Sequence, residues 1–142
     1  LMLAASQAGM AFSNASVALI HGMSRPIGAH FHVAHGLSNA MLLPAVTAFS
    51  VDAAPARYAQ VARVMKLATD NDTDVVACAK LVAGLKQLNA DLEVPSPTKL
   101  DHAKDDKMFA LMASQALASG SPQNNPRVPT AEQIVELYHE LW

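Results

Sequence analysis

Cysteine is almost missing from this chain: Cys78 stands alone, which excludes an intramolecular disulfide framework and fits a reducing cytoplasm. Charge is scarce too. Asp, Glu, Lys and Arg make up 15% of the 142 residues, against 51% hydrophobic, so this is neither a disordered tail nor a solvated, highly charged assembly. A formal net charge of −2 carries no basic excess for nucleic acid or an anionic membrane. There is no P-loop, no Gly-rich strand-to-helix turn, no repeat and no low-complexity tract. No His-Asp dipeptide occurs, which sets aside a metal-dependent helical phosphohydrolase. Sustained alternation of apolar and polar residues is also lacking, so no sheet is expected.

The apolar run Leu1–Ile20 lacks a basic lead and is broken by Ser6, Gln7, Ser13, Asn14 and Ser16, so it reads as neither a signal peptide nor a membrane span. It opens on Leu1 inside a helical pattern, as an internal piece of a longer chain would. A mean hydropathy of +0.18 fits surface covered by another domain or subunit, and an Ala-rich small protein reaches the same value alone.

What is present is helical periodicity almost throughout. A first helix is expected over Leu1–Ile20, stopped by His21-Gly22 and then Pro26. A connector with Gly22, Gly28 and Gly36 leads to a second helix over Gly36–Val51, kinked or broken at Pro44. A third opens at Pro55 with Tyr58, Val61, Ala62 and Met65 on one face. Asp72 or Thr73 caps a fourth, whose stripe is Val75, Cys78, Val82, Leu85, Leu88 and Leu92. Val94-Pro95-Ser96-Pro97 forms a loop, and a fifth helix over Asp101–Ala118 turns Met108, Leu111, Met112 and Ala116 inward. A loop over Gly120–Pro129 follows. Thr130 with Gln133 makes a capping box for a last helix with Ile134, Leu137, Tyr138 and Leu141 inside. Met10, Met23, Met41, Met65, Met108 and Met112 read as core filler, and Cys78 as a small core residue. The fold class is all-α, an antiparallel helical bundle.

Four of the six histidines lie between His21 and His35. Imidazole is the commonest neutral-nitrogen ligand for first-row metals, but spacing alone leaves polar loop residues or carbonyl-satisfied buried histidines equally open. No carboxylate occurs between Ser6 and Val51, so further ligands must come from elsewhere.

The residues around these histidines are more specific. Phe12-Ser13-Asn14, Ala18-Leu19-Ile20-His21-Gly22-Met23, Pro26-Ile27-Gly28, His35-Gly36-Leu37-Ser38-Asn39-Ala40 and Leu42-Leu43-Pro44 together resemble the second signature of the iron-containing alcohol dehydrogenases. Asn125-Pro126-Arg127 resembles that family's C-terminal end. The resemblance spans residues 1–142 and implies the C-terminal all-helical domain without the N-terminal nucleotide-binding α/β domain. It further implies His21 and His35 as two ligands of Fe(II) or Zn, with an aspartate and a histidine upstream completing the set. NAD or NADP would be bound mainly by the missing domain, the substrate would be a small alcohol or aldehyde, and the intact protein would be a homo-oligomer. Arg25 stands where the family commonly has a second, pocket-lining histidine; it would attract an acidic substrate or pair with a carboxylate at the domain interface. Ala34 replaces the usual proline before the second ligand, and His30 and His32 match no ligand. Asn124, Asn125 and Arg127 would lie near the mouth of the active site, where turn and cap chemistry is the simpler role. The competing reading is a non-catalytic helical binding or regulatory module. By itself the chain is expected to oxidise no alcohol.

Overall fold

The computed structural model describes residues 1–142. It contains α1 (Met2–Ala15), α2 (Leu19–Phe31), α3 (His35–Ser50), α4 (Pro55–Val64), α5 (Asp74–Asp91), α6 (Asp106–Ala118) and α7 (Ala131–Leu141), with three short 3-10 turns and no strand. The all-α expectation holds. α2 packs against α3 and α6, α7 closes over α6 and α3, and α4 pairs with α5 beside α3. The main core is built from α2, α3, α6 and α7 around Leu19, Met23, Ile27, Leu42, Phe109, Met112, Ile134 and Tyr138. A smaller one joins α4 to α5 through Ala59, Ala62, Ala77, Cys78, Leu81 and Leu85.

The N-terminal organisation differs from the expected one. The first helix ends at Ala15 rather than Ile20, and the anticipated connector is itself a helix, α2, which runs through His21, Gly22, Pro26 and Gly28. α1 and α2 bend by 106° at the break, and no single helix is long and apolar enough to cross a membrane. The physical reason is packing. Pro26 inside a helix costs about 3 kcal/mol or more through a lost hydrogen bond and a clash. Leu19, Met23 and Ile27 share one face and are completely buried, each contributing about 1.5–3 kcal/mol. Burial therefore outweighs the proline. Pro44 likewise lies inside an unbroken α3.

Other faces are rotated from the expected stripes. Val75, Leu88 and Leu92 on α5 or just beyond it are exposed, and Ala77, Cys78, Leu81 and Leu85 point inward instead. On α6 Leu111 is exposed while Phe109, Met112, Ala113 and Ala116 are buried. Val61 and Met65 are exposed beside buried Ala59 and Ala62. Met10, too, is exposed rather than core. α6 starts at Asp106, not Asp101, because the Asp105 side chain caps it by accepting from Lys107 and Met108 backbone N–H groups. The remaining helix starts follow their sequence signals: Pro55 opens α4, the Thr73 side chain accepts from Val76 N–H, and Thr130 with Gln133 forms the capping box of α7.

Candidate metal centre

The site is made by how the chain leaves α2. His32 takes the left-handed conformation (φ 56°) and its N–H donates to Gly28 O at 3.0 Å. Val33 then passes so close to Gly28 that a Cβ there would lie 3.3 Å from the Val33 carbonyl oxygen. The chain thereby returns along α2, and α3 begins with His35 already level with Ser24.

His21 and His35 consequently converge, their ring centroids 5.1 Å apart and tilted by 58°. Two imidazoles sharing one cation at metal–nitrogen bonds of about 2.0–2.1 Å and ordinary ligand angles have centroids about 4.5–5.5 Å apart. The observed pair falls in that window. Ser24, fully buried, stands between them: its Oγ lies 3.3 Å from His35 Nδ1 and donates to His21 O at 3.3 Å. A hydroxyl donating to one group still accepts from another, so His35 Nδ1–H donates to Ser24 and Nε2 carries the lone pair that a metal would take in place of the Asn39 amide. On the opposite edge the Asn39 amide nitrogen lies 3.2 Å from His35 Nε2. Asn39 Oδ1 is buried without a hydrogen-bond partner, so the site is short of a polar group next to this ring. On these observations the two histidines fit a divalent cation. No third His, Cys, Asp or Glu side chain joins them.

Burial, followed by the neighbouring His35 and Arg25 charges, holds the His21 imidazole below its ordinary pKa. The neutral ring, the form that ligates metal, is thus favoured at neutral pH. Phe12 stands 6.2 Å from the His21 ring. His21 also lines a cavity of about 260 Å³ together with Phe12, Thr47, Tyr58 and Asn125.

Arg25, one helical turn after His21, is exposed and donates to the buried Ser121 Oγ at 3.2 Å. His30 is turned away from the pair and bonds Gln115 Oε1 through Nε2 at 2.9 Å, and His32 is the exposed end of the α2 turn. Asn124 donates to Ser16 Oγ and Val17 O, tying down the α1–α2 break, and the buried Asn125 amide donates to Ser50 Oγ and Arg127 O. The Arg127 guanidinium lies over the Phe49 ring, 4.1 Å from its centroid. Trp142 packs on Phe31, Phe109 and Tyr138 and donates to His102 O. Sequence reasoning missed Ser24, Asn39 and Ser121. Ser24 is three residues past His21, a spacing that carries meaning only once α2 is known to be a helix.

An all-helical bundle with no strand defines a fold class, and comparison with known proteins agrees with it. The family model described as "Fe-containing alcohol dehydrogenase family, C-terminal" matches residues 1–142. The chain belongs to this family and is its C-terminal helical domain. Among proteins it is similar to, lactaldehyde reductase of Escherichia coli (strain K12) is 37% identical over 135 residues, covering 95% of this chain and 35% of that protein. The crystal structure of 1,3-propanediol oxidoreductase superposes with a TM-score of 0.88 at 29% identity, over 95% of this chain and 35% of the other. Alcohol dehydrogenase from Oenococcus oeni gives a TM-score of 0.86 at 34% identity, with the same coverage. The chain thus spans about a third of the length of the relatives it matches.

Proposed function

We propose that this chain is the metal- and substrate-holding domain of an NAD(P)-linked oxidoreductase that interconverts small alcohols with aldehydes or ketones. The observation that carries this reading is the 5.1 Å convergence of His21 and His35 in a chain of this family. These two imidazoles would hold iron(II) or zinc, with an aspartate and a histidine from a preceding segment completing the ligand set. A divalent cation there supplies Lewis acidity toward a carbinol oxygen. The hydride acceptor, NAD or NADP, is held mainly by a nucleotide-binding domain outside these residues.

This chain's own residues do the holding. Ser24 fixes the His35 ring by accepting from Nδ1–H, which would leave Nε2 as the nitrogen that holds the cation. Burial keeps His21 neutral and ready to ligate. The apolar surface of Phe12, Val17, Ile20 and Val46 beside His21 receives the carbon skeleton of a small alcohol and excludes water from it. With two ligands and no nucleotide site of its own, the isolated chain will oxidise no alcohol. The protein is expected to act in the cytoplasm as a homo-oligomer.

The decisive experiment uses the enzyme carrying both domains, with His21→Ala and His35→Ala made separately. Bound metal, measured by atomic spectroscopy, and turnover of a small alcohol should both collapse in each variant. Unchanged metal content and turnover would return the chain to the class of non-catalytic helical modules.

A further inference from the structure

Arg25 is the one formal charge in the first 51 residues. It has no ion-pair partner: the salt bridges of this chain are Arg63–Asp74, Lys80–Asp72 and His139–Asp106. Nor is an acid within easy reach. The elements packed against α2 are α3, α6 and the 3-10 turn Ser121–Asn124. No Asp or Glu occurs from residue 1 to 51 or from 107 to 131. Among these elements the only carboxylate is Asp106, at the far, N-terminal end of α6. An exposed arginine without a partner is open to pair with an anion that enters.

Its placement is directional. Residues four apart on a helix stand one above the other, about 5–6 Å between Cβ atoms, so His21, Arg25 and Ala29 form one row along α2. The side chain is anchored at one corner, where NH1 donates to the buried Ser121 hydroxyl. Most of the five guanidinium N–H donors stay open. Beyond Arg25 the row borders a cavity of about 200 Å³ between α2 and α6, lined by Arg25, Pro26, Ala29, Gln115 and Ser119. His30 Nε2–H donates to Gln115 Oε1, which leaves the Gln115 amide nitrogen as a second donor beside the guanidinium. A planar carboxylate is the anion that a guanidinium fork binds in two parallel hydrogen bonds.

We infer that Arg25 is a substrate-binding, specificity-determining residue that receives the carboxylate of a short hydroxy acid or aldehyde acid, whose carbinol or carbonyl end lies one helical turn away at the His21–His35 pair. The inference rests on the dehydrogenase reading and narrows its substrate class. Ser121 acts behind Arg25 as a positioning residue.

The test compares γ-hydroxybutyrate with n-butanol, of the same chain length without the charge, in the two-domain enzyme and in its Arg25→Gln and Arg25→Lys variants. The ratio of kcat/KM for the acid to that for the neutral alcohol should fall on the order of a hundredfold in Arg25→Gln, through KM. Arg25→Lys should recover part of the ratio, because the charge remains while the fork is lost. Butyrate binding followed by calorimetry, a readout independent of turnover, should weaken at least about tenfold in Arg25→Gln. A ratio equal to that of the parent enzyme, whether both rates hold or both fall together, overturns the inference, as does butyrate binding that ignores the substitution. Failure of the dehydrogenase reading looks different: the parent enzyme then oxidises neither compound.

Discussion

At the scale of single residues, the candidate centre depends on a side chain that itself cannot bind metal. Ser24 accepts from the outer nitrogen of His35 and donates to the backbone of His21, so one buried hydroxyl orients one ring and steadies the turn that carries the other. Removing such a partner commonly lowers metal affinity 10- to 100-fold. Ser24→Ala should therefore weaken metal binding by roughly that factor in a chelator competition, with the circular dichroism spectrum unchanged. Equal affinity for both proteins would mean that His35 is held by its backbone alone. The converging pair was legible before the fold: the His21-Gly22-Met23 and His35-Gly36-Leu37 strings single out these two histidines through the family they resemble. Ser24, Ser121 and Asn39 were not. Ser24 and Ser121 acquire their roles from partners 11 and 96 residues away, which no local pattern announces, and the four-residue step from His35 to Asn39 pairs them only once both lie on one helix.

At the scale of helices, sequence signals told starts better than stops. Thr130 and Gln133 form the reciprocal pair expected of them, with Gln133 N–H donating to Thr130 Oγ1 and Thr130 N–H to Gln133 Oε1. Thr130→Ala should cost about 1 kcal/mol of stability by urea denaturation. The stop expected at His21-Gly22 and Pro26 failed because punctuation by proline is local, whereas burial of Leu19, Met23 and Ile27 in the core that α2 shares with α3 and α6 is not. Asp72, in the turn before α5, offers a test by pH. Its carboxylate accepts from Lys80 Nζ at 2.7 and 2.8 Å and from Thr69 N–H at 2.7 Å. These partners hold its pKa at about 2, below the ordinary 3.8. A carboxyl whose pKa is depressed by folding stabilises above its unfolded value and loses that contribution as pH falls through the folded one. Melting temperature should therefore drop between about pH 4 and pH 2, less steeply in high salt. Asp72→Asn should flatten that part of the curve; an identical slope in the variant would assign the acid sensitivity to other groups.

At the scale of the whole molecule, α1 stands apart from the bundle that follows it. None of its residues is buried, and Leu1, Met2, Leu3, Met10 and Phe12 all expose apolar side chains. Their openness fits the positive mean hydropathy of +0.18. A helix of 14 residues without tertiary support is marginal in water. The joint behind it is secured differently, by Asn124 donating to Ser16 and Val17, and Phe12 approaches the His21 ring. Stability of the 142-residue chain should thus reside in residues 16–142. Deleting residues 1–11, which keeps Phe12 and the joint, should leave its melting temperature within about 2 °C, because no buried apolar area is lost. Hydrogen exchange should agree, with α1 amides nearly unprotected while those of α2, α3, α6 and α7 exchange only on global opening. A fall of several degrees on truncation, or slow exchange in α1, would mean that this helix docks on the bundle in solution.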